Sequence, residues 1–248
     1  MVNQNKATKV WNSYYKSMED GPVGNLYPSE PLIRVVSTIR KGINVDDKLY
    51  FGDEGKENTN RTNFFGDALE LGFGHVSNLL MMDEKGFKPF GLEVSEESIK
   101  RGNDRLKLLN KKNIELSLWE PTKIPFSDQQ FGFIYGLQCI YYCLDLESVI
   151  NEIFRVLKPG GYFYFSFFSD KHHYFRYINT INEGKLFDIV EWNDNHPSLR
   201  IRKAPLAKIK NKDSLYKLFG KASELRIFTE ETDFSPVFNS WWHIYGKK

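Results

Sequence analysis

The sequence predicts an α/β protein: a doubly wound, mostly parallel sheet covered on both faces, an N-terminal helical arm, and an antiparallel pair of strands at the end. Three observations predict it. Between Ala68 and Phe168, apolar runs of strand length alternate with amphipathic stretches of helix length, the pattern that helical crossovers between parallel strands produce. The first apolar run breaks into "ELGFGHVSN" (70–78), where two glycines let the backbone approach a ligand that a Cβ would keep away. The tail holds "ELRIFTEET" and "VFNSWWHIY" around Ser235-Pro236, two strands joined by a turn.

Taken in order, Trp11, Tyr14, Tyr15 and Met18 have helical spacing. "GPVGNLYPSEP" (21–31) then breaks the chain, and Ser29 is placed to cap a second helix carrying Leu32, Ile33, Val36 and Ile39. "GDEGKENTNRTN" (52–63) is polar and aperiodic, a loop. Strands follow at Ala68–Leu71, Lys88–Leu92, Ile114–Leu118, Phe131–Gly136 and Tyr162–Phe168. Helices lie between them: one from His75, one capped by Ser95 and running to about Leu109, and one with the stripe Leu146, Val149, Ile150, Ile153, Phe154 and Leu157. The last of these stops at Pro159-Gly160-Gly161. Residues 170–211 are mixed and polar with no element assigned, and Asp213–Phe219 reads as a short helix.

At 248 residues with 41% hydrophobic content, the chain suffices for one sizeable domain. A net charge of +2 gives no support to a general nucleic-acid or membrane-surface binder. No apolar run has the length of a membrane span, and no leader pattern opens the chain. Cys139 and Cys143 are the only cysteines, too few for a zinc site or a disulfide framework, so no metal is expected and a reducing cytoplasm is the default.

The loop after the first strand lies where doubly wound sheets bind ligands. A dinucleotide would require G-x-G-x-x-G with its pyrophosphate over the next helix. Here Ser77 takes the third position, and Glu70 precedes the first glycine by two residues. A carboxylate suits a cation better than a pyrophosphate, and S-adenosylmethionine carries a sulfonium and an ammonium. Glu93 ends the second strand 21 residues after Gly72. It is placed to accept both ribose hydroxyls, of this cofactor or of NAD.

With these residues in hand, "ALELGFGHVSNL", "GLEVS", "EPTKIPFSDQQFGFI" and "VINEIFRVLKPGGYFYFSF" resemble successive motifs of class I S-adenosylmethionine-dependent methyltransferases. The resemblance is strong over about residues 64–168, and "RVLKPGG" is its most telling piece. It implies a Rossmann-like seven-stranded sheet whose last strand is antiparallel, with S-adenosylmethionine across the carboxyl ends of the first strands. By that resemblance Glu70, Gly72, Phe73 and Gly74 contact the methionine end, and Glu93 and Val94 the ribose. Glu120 and Pro121 lie near the adenine amino group, and Gly136, Leu137 and Gln138 line the cofactor's other side. Three positions depart from the family pattern: Val76 where a third glycine is frequent, Phe131-Gly132 in place of "FD", and Tyr142 in place of a His.

"WNSYYKS" and "NLYPSE" resemble the N-terminal arm of bacterial small-molecule methyltransferases from surface-polysaccharide clusters. That implies a lid in which Tyr14, Tyr15 and Tyr27 close over the cofactor. The organisation expected is then a single domain: a helical arm over 1–50, a cofactor-binding core over 64–168, an acceptor-side insertion over 169–212, and a helix and strand pair over 213–248.

Methyl transfer requires mainly that the nucleophile be brought close and aligned, with a general base for an alcohol acceptor. His172 and His173 after the fifth strand, and Tyr141 and Tyr142 after the fourth, are the candidates. Residues 200–226 hold nine Lys or Arg against Asp213 and Glu224, an excess that would favour an anionic acceptor. His196 lies in the same insertion. The expected partner is a small molecule: a sugar, a nucleotide-linked sugar or a phosphorylated precursor of a bacterial surface polysaccharide. "GLQCIYYC" (136–143) lacks both the Asn- or Asp-Pro-Pro-aromatic segment of nucleic-acid amino-methyltransferases and a Pro-Cys nucleophile. The alternatives are a non-catalytic cofactor-binding subunit, an NAD-dependent oxidoreductase and an RNA methyltransferase.

Overall fold

The computed structural model describes residues 4–17, 27–41, 66–195, 204–234 and 237–248. The loop expected at 52–63, His196 and the turn at Ser235-Pro236 lie outside the described residues. Two N-terminal helices, α1 (Gln4–Lys16) and α2 (Glu30–Lys41), precede the alternating region. That region runs β1 (Asp67–Leu71), α3 (Ser77–Glu84), β2 (Lys88–Glu93), α4 (Glu96–Leu108), β3 (Glu115–Leu118), β4 (Phe131–Gly136), α5 (Leu146–Val156) and β5 (Leu157–Phe168). Three strands follow, β6 (Ile178–Asn182), β7 (Phe187–Trp192) and β8 (Pro205–Ile209), then α6 (Lys212–Leu218), β9 (Glu224–Phe234) and β10 (Val237–Lys247).

The main sheet has seven strands in the order β3-β2-β1-β4-β5-β10-β9. Its first five are parallel, and β10 runs antiparallel to both β5 and β9. The strand order reverses between β1 and β4, which opens a crevice at their carboxyl ends. Leu69, Leu71, Phe131, Ile134, Phe163 and Phe165 face one core with the apolar stripe of α5. Ala68, Phe133, Tyr135 and Tyr164 face the other, beneath Leu32 and Val36 of α2 and Met81 and Met82 of α3. Alternation divides them along β1 and β5, and an irregularity between Phe131 and Phe133 in β4 puts those two on opposite faces.

Local chemistry sets the helix starts. The Ser95 hydroxyl accepts from the Ser98 N–H at 3.2 Å, and Glu96, Glu97, Arg105 and Lys107 sit at the ends of α4 that suit their charges. The Asp145 carboxylate caps α5 through the Ser148 N–H at 3.1 Å. Arg155, near the end of α5, gathers the loop before β4. Its guanidinium donates to the Ile124 and Phe126 carbonyls and pairs with Glu152 and Asp128.

Two expectations need correction. β5 begins at Leu157, not Tyr162, and runs through Pro159-Gly160-Gly161. The chain end supplies partners there: Gly160 N–H donates to the Lys248 carbonyl, and Lys248 N–H to the Gly161 carbonyl. The segment 170–211, which reads as irregular, contains the three-stranded antiparallel sheet β6-β7-β8.

Candidate functional site

The crevice at the carboxyl ends of β1, β2 and β4 is a cleft of about 520 Å³, counting the part open to solvent. Its walls are Gly72 after β1, Glu93 and Val94 at the end of β2, and Trp119 and Pro121 after β3. Gln138, Cys139, Tyr142 and Cys143 after β4 complete them, and Gln4, Ala7, Thr8, Trp11 and Tyr15 of α1 form the roof. Backbone conformation brings the walls together. Gly72 and Gly74 have φ of 66° and 54°, and Val76 takes the third left-handed position at φ 45°, where a β-branched residue is strained. The loop therefore has the glycine-rich shape with a valine in it. A Cβ on Gly72 would meet Cys139 Cβ at 2.5 Å, so glycine is needed for the β1 and β4 loops to close on each other.

Glu93 is buried. Its carboxylate accepts from Gly74 N–H at 3.1 Å and Val94 N–H at 2.7 Å. Burial pushes its carboxyl pKa up, against these backbone bonds. Glu93 is the only acid in the lining, and no Lys, Arg or His lines it among the described residues. Burial, and then Glu93, push the Tyr15 hydroxyl well up, so it stays a neutral phenol. Cys139 donates from Sγ to the Leu71 carbonyl at 2.8 Å, and burial raises its pKa well above that of a free thiol. Neither it nor Cys143, also pushed up by burial, is an activated nucleophile.

α1 is tied down as a roof at several points. Gln4 donates to the Tyr142 carbonyl at 3.1 Å and accepts from Leu144 N–H at 2.9 Å. Lys6 pairs with Glu191 of β7 at 2.6 Å, and the Ser95 hydroxyl donates to Asn12 at 3.1 Å. Trp11 packs edge-on against Tyr142, and Tyr15 against His75.

Of the residues singled out from sequence, the fold brings Tyr15, Gly72, Glu93, Val94, Pro121, Gln138 and Tyr142 into one cleft. The others lie elsewhere. Glu70 is buried on the other face of β1, bonded to Asn78 at 2.7 Å and Tyr135 at 3.3 Å. Burial lifts its pKa to about 8, so it offers no settled negative charge to a cation. Phe73 turns into the cluster with Val76 and Leu79. Gly74 supplies its N–H to Glu93, without lining the cleft. Glu120 is exposed, and its backbone carbonyl accepts from Lys123 N–H at 3.0 Å. Gly136 packs on Cys139 and Leu71, and Leu137 against the α2 side of the sheet. Tyr14 packs edge-on against its helix neighbours Trp11 and Tyr15, and Tyr27 is 81% exposed.

The candidate bases are also displaced. His172 and His173 are buried among Phe168, Tyr174 and Trp241. His172 Nδ1 accepts from Tyr174 N–H at 3.2 Å, and His173 Nδ1 lies 2.9 Å from the Phe238 carbonyl. Tyr141 packs on Phe167 and Phe168. Packing partners from β5 and β10 claim these rings. Sequence reasoning missed Gln4, Ala7, Thr8, Trp119, Cys139 and Cys143; the helical spacing around Trp11 carried a signal for the α1 face, and the rest carried none.

A family model described as a methyltransferase domain matches residues 69–165. Among solved structures, a protein from Pyrococcus horikoshii aligns with TM-score 0.57 at 18% identity, covering 95% of this chain and 98% of that one. An S-adenosylmethionine-dependent methyltransferase from Methanosarcina mazei aligns with TM-score 0.55 at 18% identity, covering 73% and 92%. The demethylmenaquinone methyltransferase of Listeria welshimeri is 35% identical over 74 residues, 29% of this chain and 30% of that protein. A sterol 4-C-methyltransferase of Caenorhabditis elegans is 29% identical over 97 residues, 39% and 29%. The matches thus span under a third of these relatives' lengths. The fold is that of class I methyltransferases, and residues 69–165 match a methyltransferase domain. No helix among the described residues is long and apolar enough to cross a membrane.

Proposed function

We propose that this protein transfers a methyl group from S-adenosylmethionine to a small-molecule acceptor held beneath α1. The observation that carries the reading is the charge of the cleft: one buried acid, Glu93, and no cation among the described lining residues. Glu93 would hold the ribose of either cofactor, but a pyrophosphate would find no compensating cation among these lining residues, whereas a ligand bearing a sulfonium and an ammonium needs none. The donor set fits the cofactor in a second respect. The Glu93 carboxylate accepts from the backbone N–H groups of Gly74, Val94 and Ser95 and retains acceptor capacity for a ribose hydroxyl.

S-adenosylmethionine supplies a methyl group already activated by its sulfonium. The chain's own residues bind, orient and exclude water. Gly72, Val94 and Pro121 hold the cofactor side, Trp11 and Tyr142 present aromatic faces, and α1 shuts out solvent. No histidine is among the described lining residues, which favours an acceptor whose nucleophile needs no strong base.

The apolar and aromatic lining supports a ring-bearing, largely uncharged acceptor. The names of the two relatives, a demethylmenaquinone and a sterol enzyme, point the same way. A sugar or phosphorylated precursor of a surface polysaccharide is the second acceptor class. It rests on the arm's resemblance and on the basic residues Lys208, Lys210, Lys212, Lys217 and Lys221. A non-catalytic cofactor-binding subunit is the competing reading, favoured by the missing base.

Calorimetric titration with S-adenosylmethionine, S-adenosylhomocysteine and NADH tests the cofactor. Micromolar binding of the first two without NADH supports the proposal; NADH binding alone overturns it. Methyl transfer to quinone-like, sterol-like or sugar acceptors then separates enzyme from binding subunit.

A further inference from the structure

Trp119 follows β3 and lines the cleft. It is only 4% exposed, and its indole Nε1 is buried with no hydrogen-bond partner among the described residues. A buried donor left unpaired forfeits the hydrogen bond it made to water in the unfolded chain. Such a group in the wall of a ligand cleft points to an acceptor that arrives with the ligand. Of the polar side chains in the lining, Gln4 is engaged by the Tyr142 carbonyl and Leu144 N–H.

We propose that Trp119 Nε1–H donates to a ring nitrogen of the cofactor's adenine, so that Trp119 selects the base. The proposal rests on the S-adenosylmethionine reading above. Its geometry starts from Glu93. In the β2–β3 register Glu93 is paired with Leu118, and Trp119 N–H donates to the Glu93 carbonyl at 2.9 Å. If Glu93 holds the ribose, the base attached to that ribose lies one sugar ring away. On the β3 side the wall within that reach is Val94, Trp119 and Pro121. Val94 and Pro121 offer flat apolar contact, which leaves Trp119 as the donor. Glu120, the neighbouring acid, is exposed and is not among the residues that line the cleft.

The test is Trp119→Phe, which keeps an aromatic ring and removes the N–H. Binding of S-adenosylhomocysteine should weaken on the order of tenfold, while the unfolding midpoint without ligand stays level or rises because an unpaired donor is gone. A set of S-adenosylhomocysteine analogues with adenine N1, N3 or N7 replaced by carbon gives a second measurement on the wild-type chain. One analogue should lose a similar factor, and Trp119→Phe should bind that analogue and the parent equally. Equal binding of the parent by wild type and variant overturns the proposal, and so does a wild-type chain indifferent to all three replacements. If Trp119→Phe fails to fold, the wild-type analogue series decides alone. Failure of the wild type to bind S-adenosylhomocysteine at all would instead sink the cofactor reading.

Discussion

Replacing Glu70 with Gln tests how the protein manages a carboxyl group inside its sheet. Glu70 is fully enclosed, with Asn78 on one oxygen and Tyr135 on the other. Burial outweighs both hydrogen bonds and lifts the pKa from 4.5 to about 8. In this range the folded chain keeps a proton that the unfolded chain has lost. The contribution is therefore whole below pH 4.5 and is lost as pH rises towards about 8. Stability relative to a variant with no titrating group should fall by about 1.4 kcal/mol per pH unit. Glu70→Gln is such a variant, neutral at every pH and nearly isosteric. His243 acts in the opposite direction, since burial depresses its pKa to about 4. Its contribution is present above pH 6.5 and lost as pH falls, in both proteins, so it cancels in the difference. Urea unfolding of both chains from pH 5.5 to 7.5 should show the difference moving in favour of Glu70→Gln by about 2–3 kcal/mol. A difference that stays flat across that window would refute the reasoning, because it would mean that Glu70 ionises within the folded chain at an ordinary pH.

Three further outcomes follow from the same geometry. Glu93→Ala should weaken S-adenosylhomocysteine binding by about 1–3 kcal/mol in calorimetry through lost hydrogen bonds; unchanged affinity would remove the ribose from this strand end. Val76→Gly loses a buried side chain but relieves a left-handed φ of 45°. It should cost about 1–2 kcal/mol less in chemical denaturation than Val190→Gly in β7, where no such relief exists. Gln4→Ala removes two bonds that hold α1 over the cleft. Amide exchange across α1 should quicken on the order of tenfold, and no change would show that Lys6–Glu191 and the Trp11–Tyr142 contact suffice.

The alternating elements were legible because their signals are local. The stripe on α5, the Ser95 cap and the five parallel strands each occupy a dozen residues or fewer, and period and capping chemistry act over that range. The sheet β6-β7-β8 was not legible. Four of five residues in β6 are exposed, β8 opens on a proline, and β7 buries the adjacent Ile189 and Val190, so no clean alternation marks any of the three.

The site divides along the same line. The sequence alone determined the glycine turn after β1 and the acid at the end of β2, since spacing along one βαβ unit places both. Only the tertiary structure decided which neighbours of those residues face the cleft. Glu70 is turned away by the pleat of β1 and captured by Tyr135 and Asn78. The His172–His173 pair is drawn into a cluster of rings closed by Trp241, from a strand near the end of the chain. α1 becomes a roof through bonds to residues more than 80 positions away. Each of these depends on contacts between segments that no local pattern records.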